Sequence, residues 1–173
     1  MDTRTGHLGP VYGVAYALDG RTLATAGADR TIRLWDLSDP QMAQRLGSPL
    51  LTGNIYSAVG VAFAPDGRLL ATASSDRRVT LWDLTIRAQP RRIGPPLSGQ
   101  NGVVRSMDFS PSGHILATGS DDGTTILWDL RSISDFRDHA AERACAITEG
   151  GLNRDEWTRY ISGLAYEETC PST

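Results

Sequence analysis

Short alternations of apolar and polar positions dominate the first 130 residues, and they recur in phase. Val11, Val14 and Tyr16 stand among smaller neighbours. Ala58, Val61 and Phe63 hold the same places in a second stretch, and Val104, Met107 and Phe109 in a third. A period near two marks a half-buried strand. Each stretch runs into a turn signal: Asp19-Gly20, Pro65-Asp66-Gly67 or Pro111-Ser112-Gly113. A second strand follows, reading LATA, LATA or LATG. A polar turn holding Asp29, Asp76 or Asp122 then leads to a third strand that ends in Trp-Asp. Outer strands are predicted near Arg45–Leu50 and Arg92–Leu97, where proline is tolerated because an edge strand can spare a backbone donor.

Aligned without gaps, Gly6–Leu37, Gly53–Leu84 and Gly99–Leu130 are three copies of one unit. The Trp-Asp pairs at 35–36, 82–83 and 128–129 are spaced by 47 and then 46 residues. A four-stranded propeller blade takes roughly 40–45 residues. In these residues the chain resembles the WD40-repeat family, over roughly residues 6 to 130. The resemblance implies an all-β fold of WD40 β-propeller blades, an incomplete propeller of three repeats at about 6–50, 51–97 and 98–130. A small α-helical extension is expected over 131–173.

The resemblance also implies a hydrogen-bonded set inside each blade, made of the tryptophan, a hydroxyl of the second strand, the turn aspartate and a histidine. By position the first repeat offers Trp35, Asp29 and His7. The second offers Trp82, Ser74, Asp76 and Asn54, and the third Trp128, Ser120, Asp122 and Gln100. A buried polar group without a partner costs about 1–3 kcal/mol, so these residues are expected to find one another. Asn54 and Gln100 can donate from the histidine position. Gly27 stands where the hydroxyl of the first repeat is expected, so the first blade is expected to be the least firmly held. His7 reads as structural rather than as a ligand, since His7, His114 and His139 lie in unrelated contexts. Asp19 reads as an exposed turn residue.

No phosphate loop, HExxH, GxSxG or CxxC is present. Asp121-Asp122-Gly123 opens like a calcium loop but lacks the later ligands, and reads as a β-turn. Neither catalytic residue, metal nor cofactor is expected. The expected function is a non-catalytic protein–protein interaction scaffold. Two alternatives stand beside it. An enzyme built on propeller blades would need acids, histidines or metal ligands gathered at the blade tops. A non-functional gene fragment would show poor soluble expression.

After Leu130 the pattern turns helical. Ser134 is placed as an N-cap, with Asp135 and Asp138 in the first turn where the helix dipole favours acids. Phe136, Ala140, Ala144 and Ile147 recur at helical spacing, and Gly150-Gly151 stops the run. Asn153 and Glu156 form a capping-box pattern before Trp157, Tyr160 and Ile161. Residues 141–171 resemble the C-terminal tail of actinobacterial WD-repeat proteins, in many of which an NTPase of the STAND signalling class precedes the propeller. No NTPase motif occurs here. Cys145 and Cys170, the two cysteines, read either as small buried residues or as a disulfide or close thiol pair that pins the last loop. A cytosolic setting counts against a stable disulfide.

Composition narrows the setting. At 40% hydrophobic and 21% charged, the chain fits an ordinary globular protein. No apolar run approaches the roughly 20 residues of a membrane span, and Met1–Pro10 carries no apolar core of a secretory signal. The expected location is cytoplasmic, with no membrane partner. The net charge is −3, and residues 131–173 carry the whole excess, with five Arg against eight acids. Residues 1–130 balance twelve Arg with twelve Asp, and no basic stripe suggests a nucleic-acid partner. All 17 basic residues are Arg, which reads as the codon bias of a GC-rich genome.

Closed propellers have roughly four to eight blades. Three repeats leave a ring unfinished, and the five residues before Gly6 are too few for a further blade. The chain is therefore expected to be the C-terminal part of a longer propeller protein, to associate with itself or another polypeptide and so complete a ring, or to stand as a short arc.

Overall fold

A computed structural model describes residues 6–39, 42–51 and 56–133. Eleven strands form three antiparallel sheets in which sequence order is spatial order. Blade 1 comprises β1 (Val11–Tyr16), β2 (Thr22–Gly27), β3 (Thr31–Asp36) and β4 (Gln44–Leu51). Blade 2 comprises β5 (Ala58–Phe63), β6 (Leu69–Ser74), β7 (Val79–Asp83) and β8 (Arg91–Leu97). Among the described residues blade 3 comprises β9 (Val104–Phe109), β10 (Ile115–Ser120) and β11 (Thr125–Asp129). The expected outer strands are β4 and β8. The expected helical extension lies outside the described residues from 134 onward, and Cys145 and Cys170 lie outside them too.

One feature of the inner strands explains their spacing. The register slips by one residue between Val11 and Gly13 in β1, between Ala58 and Gly60 in β5, and opposite Gly119/Ser120 in β9. Each slip is a β-bulge that leaves one residue unpaired, at Tyr12, Val59 and Arg105. A bulge turns the strand by one extra residue. That is why the large positions run 11, 14, 16 rather than in strict alternation.

The two faces of each blade differ in kind. Leu23 pairs with Trp35, Leu70 with Trp82 and Leu116 with Trp128, so each indole shares a face with a leucine. The opposite face is small at its centre, with Ala24 and Ala26 in blade 1 and Ala71 and Ala73 in blade 2. One cluster joins Ala24, Ala26, Ile32 and Leu34 to Leu70, Trp82 and Leu84. The next joins Ala71, Ala73, Val79 and Leu81 to Leu116, Phe109 and Leu130. The alanines make room for the indole and leucine of the following blade, and the same joint is built twice. Inner strands approach closely at these joints: a Cβ on Gly13 would lie 3.1 Å from the Gly60 Cα.

Candidate functional site

In blade 1 four side chains form a continuous chain of hydrogen bonds. Trp35 Nε1 donates to Thr25 Oγ1 at 2.9 Å. Thr25 Oγ1 lies 2.8 Å from His7 Nε2, and His7 Nδ1 lies 2.9 Å from Asp29 Oδ1. One proton arrangement satisfies every link: Nδ1 donates to the carboxylate, Nε2 accepts the threonine hydroxyl, and that hydroxyl accepts the indole N–H. Asp29 also accepts from Leu8 N at 2.9 Å, from Thr31 Oγ1 at 2.8 Å and from Thr31 N at 3.2 Å. Burial works against its charged form, but the His7 imidazole and these donors hold the carboxyl well below the usual carboxylate range. Threonine, histidine and aspartate stand in the order of nucleophile, base and orienting acid. Thr25 is buried, however, and its oxygen already takes the indole N–H.

The hydroxyl of the set is therefore a threonine in every blade. Trp82 donates to Thr72 Oγ1 and Trp128 to Thr118 Oγ1, each at 2.9 Å. Ser74 and Ser120, expected in this role, do not receive the indole. Strand geometry gives the reason. Trp82 pairs across with Leu70, so Thr72 is its diagonal neighbour on the same face, about 7–8 Å away and within reach of an indole. Ser74 is two residues further along, beyond it. Ser74 Oγ and Ser120 Oγ instead accept from the backbone N–H of Asp76 and Asp122, each at 3.4 Å.

Gly27 does not deprive the first blade of its hydroxyl. A Cβ there would overlap His7 Nδ1 and come within 2.8 Å of Asp29 Oδ1, so glycine is what admits the imidazole. The first blade lacks no hydroxyl, and its set is the one that carries a histidine. In blade 3 the equivalent residues are Ser120 and Gln100, and Gln100 Nε2 donates to the Thr118 carbonyl at 3.1 Å. Thr72 and Thr118 then turn their own protons toward the Thr80 and Ile126 carbonyls, at 3.3 and 3.4 Å. Asn54 lies outside the described residues.

The turn aspartates do local work. Asp76 Oδ1 accepts from Arg78 N at 3.1 Å. Asp122 accepts from Asn101 N, Gly102 N and Thr124, which hold its carboxyl well below the usual range, the Thr124 hydroxyl most of all. The aspartate of each Trp-Asp pair closes the next turn: Asp36 accepts from Ser38 N and Asp83 from Thr85 N at 2.8 Å, and Asp129 from Arg131 N at 3.0 Å. This role was not among those expected; its signal is an aspartate directly after each tryptophan, at the Asx-turn spacing of two residues before the donor.

The family model described as WD domain, G-beta repeat matches residues 1–36, 47–83 and 92–129. The chain belongs to the WD40-repeat family. Each matched stretch closes on a Trp-Asp pair, where the blade hydrogen bonds begin. No curated protein matches the chain closely enough to count as a relative.

Two features set these WD40 blades apart from one another. Asp19, expected as an exposed turn residue, is one; it also accepts from Arg21 N at 2.8 Å and is ion-paired with Arg87 of blade 2. Arg87 also donates to Thr22 Oγ1 at 2.6 Å, so the pair latches blade 2 to blade 1. At the opposite rim the bulged Tyr12, Val59 and Arg105 line a cleft of about 380 Å³ with Ser57 and Ser75. Arg105 is held there by Asp121 at 2.7 Å, and the guanidinium keeps that carboxyl below its ordinary value.

The ends of the arc are unlike its joints. Tyr16 is 65% exposed, whereas its blade 3 equivalent Phe109 is 7% exposed. Leu127 is 67% exposed, whereas its blade 2 equivalent Leu81 is 2% exposed. The side chain of Arg33, on the open Trp35 face, contains a buried Nε for which the described residues provide no acceptor.

Proposed function

We propose that this chain is a non-catalytic protein–protein interaction scaffold, and that its binding surfaces include the two open end faces of the arc. WD40 repeats generally serve as interaction scaffolds, and the residues of this chain support that use. The observation that carries the reading is the exposure of Tyr16, Val14 and Leu127 at positions whose equivalents in the interior joints are buried or partly buried. Apolar patches beyond a few hundred Å² tend to mark association sites. The partner is a polypeptide that supplies further blades, whether from another protein or by self-association completing the propeller. Neither nucleic acid nor membrane is part of this reading. No helix among the described residues is long and apolar enough to cross a membrane.

The tail's resemblance to actinobacterial WD-repeat proteins supports reading the scaffold as part of a cytoplasmic signalling assembly, beside a STAND-class NTPase. The blades would then hold or sense a protein while the chemistry lies elsewhere. Sedimentation of the purified chain at micromolar concentration, alone and with a polypeptide of further WD repeats, tests the reading. Association in either mixture is expected. A cooperatively unfolding monomer of 18.7 kDa that binds neither itself nor such a polypeptide overturns it.

A further inference from the structure

Resting on the scaffold reading, we infer that the open Trp35 face of blade 1 receives the Leu127 face of blade 3 from a second copy, so that two chains close a six-bladed ring head to tail. The chain itself shows what covers such faces. Twice it seats the small-centred face of one blade against the tryptophan face of the next. The arc ends on the two halves of that same joint. At one end lie Val14, Tyr16, Leu23 and Trp35, in the places that Met107, Phe109, Leu116 and Trp128 fill in blade 3. At the other end Ala117 and Leu127 stand where Ala71 and Leu81 receive those residues in blade 2.

The two faces differ in kind, so neither suits a copy of itself. Ala117 leaves the hollow, and Leu23 and Trp35 fill it. A contact between unlike faces is heterologous, and it makes a ring when the rotation closes and a filament when it does not. Two copies of three sheets give six blades, inside the range of roughly four to eight in which blade rings close. Two identical joints form at once, so each strengthens the other through its effective concentration.

The test uses the full chain and sedimentation. The wild-type chain is expected to be a closed dimer at micromolar concentration. Tyr16→Asp and Leu127→Asp each place a carboxylate in one half of the joint, and each is expected to weaken dimerisation at least about 100-fold. Ile86→Asp, on an exposed loop of blade 2, leaves the dimer intact. Near-UV circular dichroism of the indoles checks that every variant remains folded. The decisive mixture combines the two monomeric variants. The Tyr16→Asp copy keeps its Leu127 face and the Leu127→Asp copy keeps its Tyr16 face, so together they form an open one-to-one pair through one joint.

A wild-type monomer, an open-ended polymer, a dimer that only Tyr16→Asp breaks, or two variants that stay monomeric when mixed would each overturn the inference. A monomer that nonetheless binds a polypeptide of further WD repeats would overturn the second copy while leaving the scaffold reading in place.

Discussion

At the scale of single residues, the blade is organised by where an indole N–H can reach. Thr25, Thr72 and Thr118 sit diagonally across from their tryptophans and accept that proton. Thr72→Val keeps the shape and removes the acceptor. It should cost about 1–3 kcal/mol in urea titrations, because the indole donor is stranded in a buried joint. Ser74→Ala should cost less, and equal midpoints would contradict the assignment of the hydroxyl. Gly27 and His7 act as a unit. Gly27→Ser should cost about 1–3 kcal/mol by driving a Cβ and hydroxyl into the imidazole. His7→Gln in the same chain should recover part of that loss, since blade 3 pairs Ser120 with Gln100; a double-mutant cycle with no coupling would refute this. Asp29 adds a pH dependence. Its folded carboxyl lies below its unfolded value near 3.9, so its stabilisation is complete above that value and is lost as pH falls below it. Between pH 5 and pH 3, Asp29→Asn should therefore lose less stability than the wild type, as measured by urea midpoints at each pH.

At the scale of elements, the outer strands show how one backbone shape serves two neighbourhoods. Gly47 in β4 and Gly94 in β8 have φ of +62° and +59°, a left-handed conformation that disfavours any side chain. A Cβ on Gly47 would overlap the carbonyl of Ala88 in the loop that carries Arg87. Around Gly94 no described atom lies within 4 Å. Both alanine substitutions should cost about 1 kcal/mol in backbone strain, and Gly47→Ala should cost more because it also pushes the loop of blade 2 off blade 1. Thermal unfolding of the two variants side by side checks the order. The elements themselves were legible: turns at Asp19-Gly20 and Pro65-Asp66-Gly67 and the LATA strands fall where pattern places them. The bulges were not foreseen from the period near two, although the step of three from Val11 to Val14, from Ala58 to Val61 and from Val104 to Met107 is their mark.

At the scale of the whole molecule, burial is concentrated at the middle. Blade 2 has a neighbour on both faces, and all six residues of β6 are buried. Among the described residues blade 1 and blade 3 each have one face covered by a neighbouring blade, and β11 alternates between exposed and half-buried residues. Local opening free energy follows such packing. Amide hydrogen exchange should thus be slowest in β6 and β7 and faster in β1 and β11. Added WD-repeat polypeptide or raised chain concentration should slow exchange in β1 and β11 first, as the end faces are covered. Uniform exchange across the three blades would argue that the joints do not set local stability.

Three in-phase repeats determined the strands and their order along the chain, because apolar alternation and turn chemistry act over a few residues. Trp35, Trp82 and Trp128, with Asp29 and His7, were marked by what the resemblance to WD40 repeats implies. Which hydroxyl meets each indole was decided only by strand pairing, since Thr72 and Ser74 both lie on the indole's face and differ by one step along it. The value of Gly27 was decided the same way, because the space it leaves is filled by a residue twenty positions away in the chain. Asp19 is the exposed turn residue its sequence suggests, but its ion pair with Arg87 was decided by the fold, which brings that residue across from the next blade. Sequence pattern reports which side chains want burial; register and blade contact choose the neighbours that meet them, and leave Tyr16 and Leu127 facing outward at the two ends.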